Sequence, residues 1–233
     1  MEMKIIPSKY EIIARIFPAT IVLIPFLLFT MNCDISILSS FFQDLLKVKI
    51  VGNLTIALVL LYLLSQINRF LGKFIFERIL FRDELEMPTT KYMLFSDSKM
   101  SRKYKMQIRE RIKSDFNIDM PNELDEETDL VEAKKRIVDT VGLIREKVKD
   151  GRLLLQHNIE YGFARNLIGG AIVGLIVSLF DTIYFYLVHS CTILYISISS
   201  TLFFGILLIC CKPIINHLGN QYAKCLLKEY TAG

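Results

Sequence analysis

The chain has 233 residues, of which 52% are hydrophobic and 22% charged, and its formal net charge is +4. Its 28 Lys and Arg nearly balance its 24 Asp and Glu, which argues against a protein built to neutralise a nucleic-acid backbone. The five cysteines show no C-x2-C pair and therefore no sign of a zinc site. The apolar residues collect in long runs and the mean hydropathy is +0.40, so we interpret the chain as an integral membrane protein.

Four apolar runs are each about as long as a membrane crossing, which takes ~20 helical residues. The first run is longer than a typical signal-peptide core and lacks a small-x-small cleavage site, so we expect an uncleaved anchor, kinked at Pro18 and Pro25. The third run contains Asp181, which lies either at the outer interface or inside the bilayer facing protein. The predicted spans are residues 12–31, 50–71, 167–188 and 193–211.

The distribution of basic residues predicts the orientation of these spans. Residues 69–165 hold 20 of the 28 Lys and Arg, whereas residues 32–49 hold two and residues 181–192 hold none. Because basic loops stay in the cytoplasm, the central segment and both termini are expected there. Cys33 and Cys191 would then lie on the outer side, and the sequence leaves open whether they form a disulfide.

The expected fold is an all-α membrane protein, in which two transmembrane helical hairpins (four spans) are joined by a cytoplasmic helical domain. Residues 1–82 form the first hairpin with a helical extension, and residues 83–151 form the cytoplasmic domain. Residues 152–233 form a juxtamembrane helix, the second hairpin and a short cytoplasmic tail. The expected location is a bacterial inner membrane.

Two amphipathic helices are predicted within the cytoplasmic domain. The extension of the second span is expected to end at Pro88. The first helix is expected to begin near Asp97, and the acidic residues 117–129 are expected to be a loop before a capping box at Asp129 and Glu132. The apolar stripes are Met100, Tyr104, Ile108, Ile112 and Phe116 in the first helix, and Ala133, Ile137, Val141, Ile144 and Val148 in the second. The first helix is otherwise basic, and its charged face is predicted to be solvated, with contact to anionic lipid or nucleic acid as the alternative: Arg102, Lys103, Lys105, Arg109, Arg111 and Lys113.

A juxtamembrane motif precedes the third span and is dense in hydrogen-bonding side chains. We interpret it first as a structural hinge that docks the cytoplasmic domain. A metal site at His157 and Glu160 has too few ligands. Arg152 and His157 share the R-x4-H spacing of HEPN ribonucleases, although Leu153 replaces the usual polar residue. The motif comprises Gln156, His157, Asn158, Glu160, Tyr161, Arg165 and Asn166.

Small residues recur every fourth position in the third span, at Gly170, Gly174 and Ser178. Such a stripe lets another helix approach closely. The partner is either a helix of the same chain or a helix of a second copy, and the sequence leaves both open.

Several catalytic signatures are absent from the sequence. There is no G-x4-G-K-S/T, no G-x-G-x2-G and no Ser-His-Asp set. We therefore expect no enzyme, no cofactor, no metal and no small-molecule substrate.

Three strings carry a resemblance to a known family: MPTTKYMLFSDSKMS at 87–101, EAKKRIVDTVGLIREKVKDGRLLLQHNIEYGF at 132–163 and RNLIGG at 165–170. They resemble small bacterial inner-membrane proteins, some of which are similar to the transmembrane effectors of antiphage systems. In the retron type, a reverse transcriptase with its nucleic-acid product restrains a toxic membrane protein. The resemblance implies a homo-oligomeric effector that disrupts the inner membrane when phage infection releases it from this inhibitor complex.

Two other functions stay open at this point. The chain could be a membrane sensor or scaffold that recruits a soluble defence partner without forming a pore. It could also be a membrane-tethered HEPN-like ribonuclease. Leakage through the lipid bilayer would separate the effector from both, and RNA degradation would identify the ribonuclease.

Overall fold

The computed structural model describes residues 8–32, 50–149 and 151–232, and every regular element in these ranges is helical. Four of the described helices are long and apolar enough to cross a membrane. The prediction of an all-helical chain with four such helices is therefore confirmed. Cys33, whose pairing with Cys191 the sequence leaves open, and the loop that contains it lie outside the described residues.

The helices follow one another along the chain with few long connections. The N-terminal helix contains a π-helical segment, Ile12–Ile16, and a second π-helical segment, Phe74–Leu80, follows the helix of the second span. The α-helices are α1 Lys9–Glu11, α2 Phe17–Asn32, α3 Ile50–Lys73, α4 Pro88–Met93, α5 Arg102–Phe116, α6 Glu123–Thr128, α7 Leu130–Lys147, α8 Arg152–Leu187, α9 Cys191–Ile209 and α10 Cys211–Ala232.

The chain forms two compact units. The first unit comprises residues 1–73 and 162–211, and the second comprises residues 74–161 and 212–233. The long helix α8 begins in the second unit and ends in the first. One continuous helix therefore contains the juxtamembrane motif and nearly all of the predicted third span.

The first unit exposes much of its apolar surface. In α9 the buried residues are Ser197 and Phe204, whereas Tyr195 and Ile209 are 70% and 81% exposed. Apolar side chains on α3 and α8, such as Tyr62 and Ile176, are also more than half exposed. A helix that is apolar all round is stable when it is surrounded by protein or lipid rather than water.

The second unit buries a larger apolar core than the cluster around Phe204 in the first unit. The two predicted stripes meet there, with Ile108, Ile112, Ile137 and Ile144 fully buried. The C-terminal residues, expected to form a short tail, instead form the 22-residue helix α10. It adds Ala223, Leu226, Leu227 and Tyr230 to the same core. This contribution explains how a segment of modest length obtains a sizeable interior.

Two predicted boundaries in the second unit were wrong. Helix α5 begins after Ser101, whose side chain accepts a hydrogen bond from the Tyr104 N–H, rather than near Asp97. The Asp97 carboxylate accepts from Lys99 N–H in a local turn, which competes with a helix start. Pro88 begins α4 instead of ending the preceding helix, because proline suits the first helical position.

The acidic stretch expected to be a loop contains a short helix. Asn122 and Asp125 form a reciprocal capping box that starts α6, so its first turn is satisfied by side chains. Asp129 then caps α7 by accepting from Val131 and Glu132 N–H groups, as the predicted capping position requires. The sequence therefore predicted the cap at Asp129, but the cap at Asn122 was missed.

The basic face of α5 is not fully solvated. Lys105 is 1% exposed and donates to the carbonyls of Leu94 and Asp97. Arg109 is 8% exposed, donates to Met93 O at 2.7 Å and lies 3.9 Å from the centre of the Phe95 ring. Burial lowers the pKa of Lys105. Both side chains donate to backbone carbonyls at the end of α4 and in the turn that follows it. Their role is therefore to hold this turn in its conformation.

Acid is expected to weaken the second unit partly through Glu86. Lys134 donates to its carboxylate and Lys91 lies 3.0 Å away, and these cations lower the pKa of Glu86 from its ordinary value. A lowered folded-state pKa gives stability that is present above the unfolded value and is lost as the pH falls through the folded value. Thermal unfolding followed by circular dichroism between pH 7 and pH 3 should therefore show a smaller acid loss in Glu86→Gln than in wild type. Glu132→Gln, at a carboxylate that is 60% exposed, is the matched control and should follow the wild-type profile. Identical profiles for Glu86→Gln and wild type would show that Glu86 does not contribute to the acid sensitivity.

Candidate functional site at the helix contacts of the first unit

The juxtamembrane motif is divided between the two units. Within the second unit, Gln156 donates to Glu160 at 3.1 Å, and His157 Nδ1 lies 3.4 Å from the other carboxylate oxygen. Asn158 is exposed, and Tyr161 stacks on Tyr222 with ring centres 6.3 Å apart. The remaining two members of the motif, Arg165 and Asn166, belong to the first unit.

The structure adds no support for either the metal site or the HEPN-like ribonuclease. No group of three or more His, Cys, Asp or Glu that could hold a metal occurs in the described part of the chain. The side chain of Arg152, the second member of the ribonuclease pair, is outside the described residues. The ribonuclease hypothesis therefore stays a prediction.

Asn166 is fully buried and its amide Nδ2 donates to the Ala14 carbonyl at 2.5 Å. In a regular helix that carbonyl would accept from the N–H four residues later, but Pro18 has no N–H to give. The helical spacing also widens over Ile12–Ile16, directly before this proline. Asn166 thus supplies the donor that proline removes, which matters most where water cannot replace it.

A double-mutant cycle tests this pairing. Asn166→Leu leaves the Ala14 carbonyl without its side-chain donor and should cost about 1–2 kcal/mol in thermal unfolding of the detergent-solubilised chain. In a Pro18→Ala background the backbone N–H returns, so the same substitution should cost clearly less. Equal costs in the two backgrounds would show that Asn166 does not compensate for Pro18.

Helices α3 and α8 approach each other closely at three glycines. A Cβ added at Gly169 would lie 2.4 Å from Gly72 N and 2.5 Å from Asn68 O, which are backbone atoms. A Cβ at Gly72 would lie 2.7 Å from the Arg165 carbonyl oxygen. Only residues without side chains allow this separation, as in other close helix pairs of membrane proteins.

A buried amide lies in the same contact. Asn68 is fully buried, and a Cβ at Gly170 would lie 2.6 Å from its Cγ, Nδ2 and Oδ1 atoms. Neither polar atom of this amide has a hydrogen-bond partner in the described structure. An unsatisfied buried amide is costly, and an amide between apolar helices is more costly still.

The other two members of the small-residue stripe face the C-terminal part of the unit. Gly174 lies against Phe204 of α9, where an added Cβ would be 2.7 Å from the ring. Ser178 is fully buried and donates to the Leu175 carbonyl. Gly170 and Gly174 therefore contact helices of the same chain, and self-association stays a prediction.

Asp181 is the buried acid of the unit. It is 0% exposed, and neither carboxylate oxygen has a hydrogen-bond partner among the described residues. Asp181 therefore faces protein, and its level relative to a bilayer stays a prediction. An unpaired acid between apolar helices marks a functional position more often than a structural one.

Sequence reasoning missed two of these residues. Asn68 lies near the end of an apolar run that also holds Asn53 and Gln66, so nothing in the sequence distinguished it from the other amides. Gly169 is adjacent to the predicted stripe, and the Gly169–Gly170 pair was the only sign of a closer approach.

Comparisons with known proteins leave the function to be argued from this geometry. No family model, no curated protein and no solved structure matches the chain. The features that bear on function are the apolar helices of the first unit and the buried polar side chains Asn68, Asn166 and Asp181.

Proposed function

We propose that the chain is a membrane-embedded toxic effector of a bacterial antiphage system of the retron type, and that it disrupts the inner membrane when activated. The observation that carries the proposal is the pair of buried, unpartnered polar side chains, Asn68 and Asp181, within apolar helices. Polar groups in such positions are costly and commonly line the path of ions or water. A protein whose purpose is only to anchor a partner has no need of them.

In this proposal the second unit is the part of the chain through which an inhibitor complex regulates the effector. It has its own apolar core and many charged surface groups, which suit a soluble inhibitor complex. The excess of Lys and Arg between residues 69 and 165 favours a cytoplasmic position for it. In this proposal a reverse transcriptase with its nucleic-acid product binds there, and its release activates a homo-oligomer in the lipid bilayer.

Expression of the chain alone tests the effector directly. Cells that produce it without any inhibitor should stop growing, lose membrane potential and take up a membrane-impermeant dye. Asn68→Leu combined with Asp181→Leu removes the buried polar groups and should abolish dye entry at equal membrane abundance. The double variant Ser199→Ala/Gly205→Ala on α9 is the control and should remain toxic. Normal growth and potential at full expression of the wild type would contradict the proposal.

A membrane scaffold is the second candidate, favoured by a polar groove on the second unit. The groove has a volume of about 630 Å³, and its lining residues are Gln107, Glu110, Arg111, Ser114, Asp115 and Thr231. Such a surface could hold a soluble partner without any leakage. The scaffold predicts that wild type retains this partner and that Gln107→Trp loses it. If neither protein causes dye entry in cells, the result favours the scaffold over the effector.

A further inference from the structure

We propose that Asp181, together with hydroxyl groups of α8 and α9, forms a binding site for a monovalent cation. The proposal concerns binding alone, so it holds whether or not the protein permeabilises a membrane.

Asp181 lies on the side of α8 that faces α9. Gly174, seven residues or about two turns earlier on the same face, contacts Phe204, and Thr182 Oγ1 lies 3.2 Å from Thr201 Oγ1. These two contacts show that the helices run antiparallel. They place Asp181 beside Thr201, and the fully buried Ser197 lies one turn of α9 beyond Thr201, toward the C-terminal end of α8.

The polar groups around Asp181 are acceptors rather than donors. Ser178 and Thr201 each donate their hydroxyl hydrogen to a backbone carbonyl of their own helix. Thr182 likewise donates to the Ser178 carbonyl at 2.8 Å. What remains available to a ligand is a set of oxygen lone pairs and an unpartnered carboxylate.

A set of oxygens without hydrogen donors is complementary to a hard cation. The charge of the cation follows from the single carboxylate. One positive charge neutralises Asp181, whereas a divalent ion would leave an uncompensated charge among apolar helices. Na⁺ and K⁺ therefore fit the site, and an anion does not.

Thermal unfolding of the purified full-length chain in non-ionic detergent tests the site. Replacing N-methylglucamine chloride by NaCl or KCl at equal ionic strength should raise the Tm of the wild type by about 2–4 °C if the ion is well above its Kd. Asp181→Asn should lose this shift, and Thr201→Val, which removes one hydroxyl at nearly constant shape, should reduce it. Asp119→Asn, at an exposed acid, controls for general salt effects and should keep the full shift.

Two results would overturn the proposal. One is a wild-type Tm that is the same in Na⁺, K⁺ and N-methylglucamine. This result would indicate that Asp181 is protonated and binds no cation. The other is an equal Na⁺ or K⁺ shift in wild type and Thr201→Val, a comparison that remains decisive if Asp181→Asn fails to fold. A chain that binds the cation and yet causes no dye entry in cells would overturn the proposed function and leave this site standing.

Discussion

Replacing Glu126 by Gln should destabilise the second unit by about 3–5 kcal/mol, because it leaves a buried guanidinium without its counter-charge. Glu126 is 8% exposed, and its carboxylate lies 3.7 Å from Arg109. The same carboxylate accepts hydrogen bonds from the Phe95 and Ser96 N–H groups at 2.8 and 3.3 Å. Glutamine offers one acceptor oxygen where the carboxylate offers two, and it has no charge.

The matched control is Glu123→Gln on the same short helix. Glu123 pairs with Arg102 at 2.9 Å, but both side chains are at least half exposed, so the loss should be below about 1 kcal/mol. Denaturant or thermal unfolding of the full chain, followed by helical circular dichroism, compares the two variants. Similar small losses in both would show that the Arg109–Glu126 pair contributes little.

Replacing Gly169 by Ala should destabilise the first unit by about 2–3 kcal/mol, although alanine favours helices over glycine. The added Cβ would meet the backbone of α3 at 2.4–2.7 Å, and a backbone cannot turn aside as a flexible side chain can. The two helices must therefore separate, which also removes the packing around Asn68. We expect a lower yield of monodisperse protein in detergent and a lower Tm.

Gly205→Ala on α9 is the control for this substitution. A Cβ at Gly205 meets no atom within 4 Å, so the variant should be as stable as wild type or slightly more stable. The difference between the two alanine variants then isolates the close contact from helix propensity. A Gly169→Ala protein as stable as Gly205→Ala would contradict the separation between α3 and α8.

Periodicity predicted the elements that bury a stripe. Ile108, Ile112, Ile137 and Ile144 follow helical spacing, and all four are fully buried. Runs of about 20 apolar residues likewise predicted the four long helices, because such a run has few stable alternatives. Asp129 was predicted as a cap from its spacing to Glu132, and its side chain does cap α7.

The contacts between distant segments could not be read from the sequence. Nothing in the order of residues indicates that Asn166 would meet Ala14, 152 positions away, although the missing N–H of Pro18 is visible in hindsight. Lys105 and Arg109 looked like solvated charges, because only the folded turn reveals the carbonyls they bind. Helix α10, by contrast, could have been predicted, because its buried positions Ile215, Ala223, Leu226 and Tyr230 recur at helical spacing; only their partners on α5 and α7 could not.

We expect the apolar helices to cross a bilayer and to leave the charge-rich segment in the cytoplasm. Single-cysteine variants test it, one retaining only Cys191 and the other carrying Leu124→Cys, both at exposed positions. In intact cells that exclude propidium iodide, a membrane-impermeant maleimide should label Cys191 and should reach position 124 only after lysis. Labelling of position 124 in intact cells, or recovery of the unlabelled chain in the soluble fraction without detergent, would contradict the account.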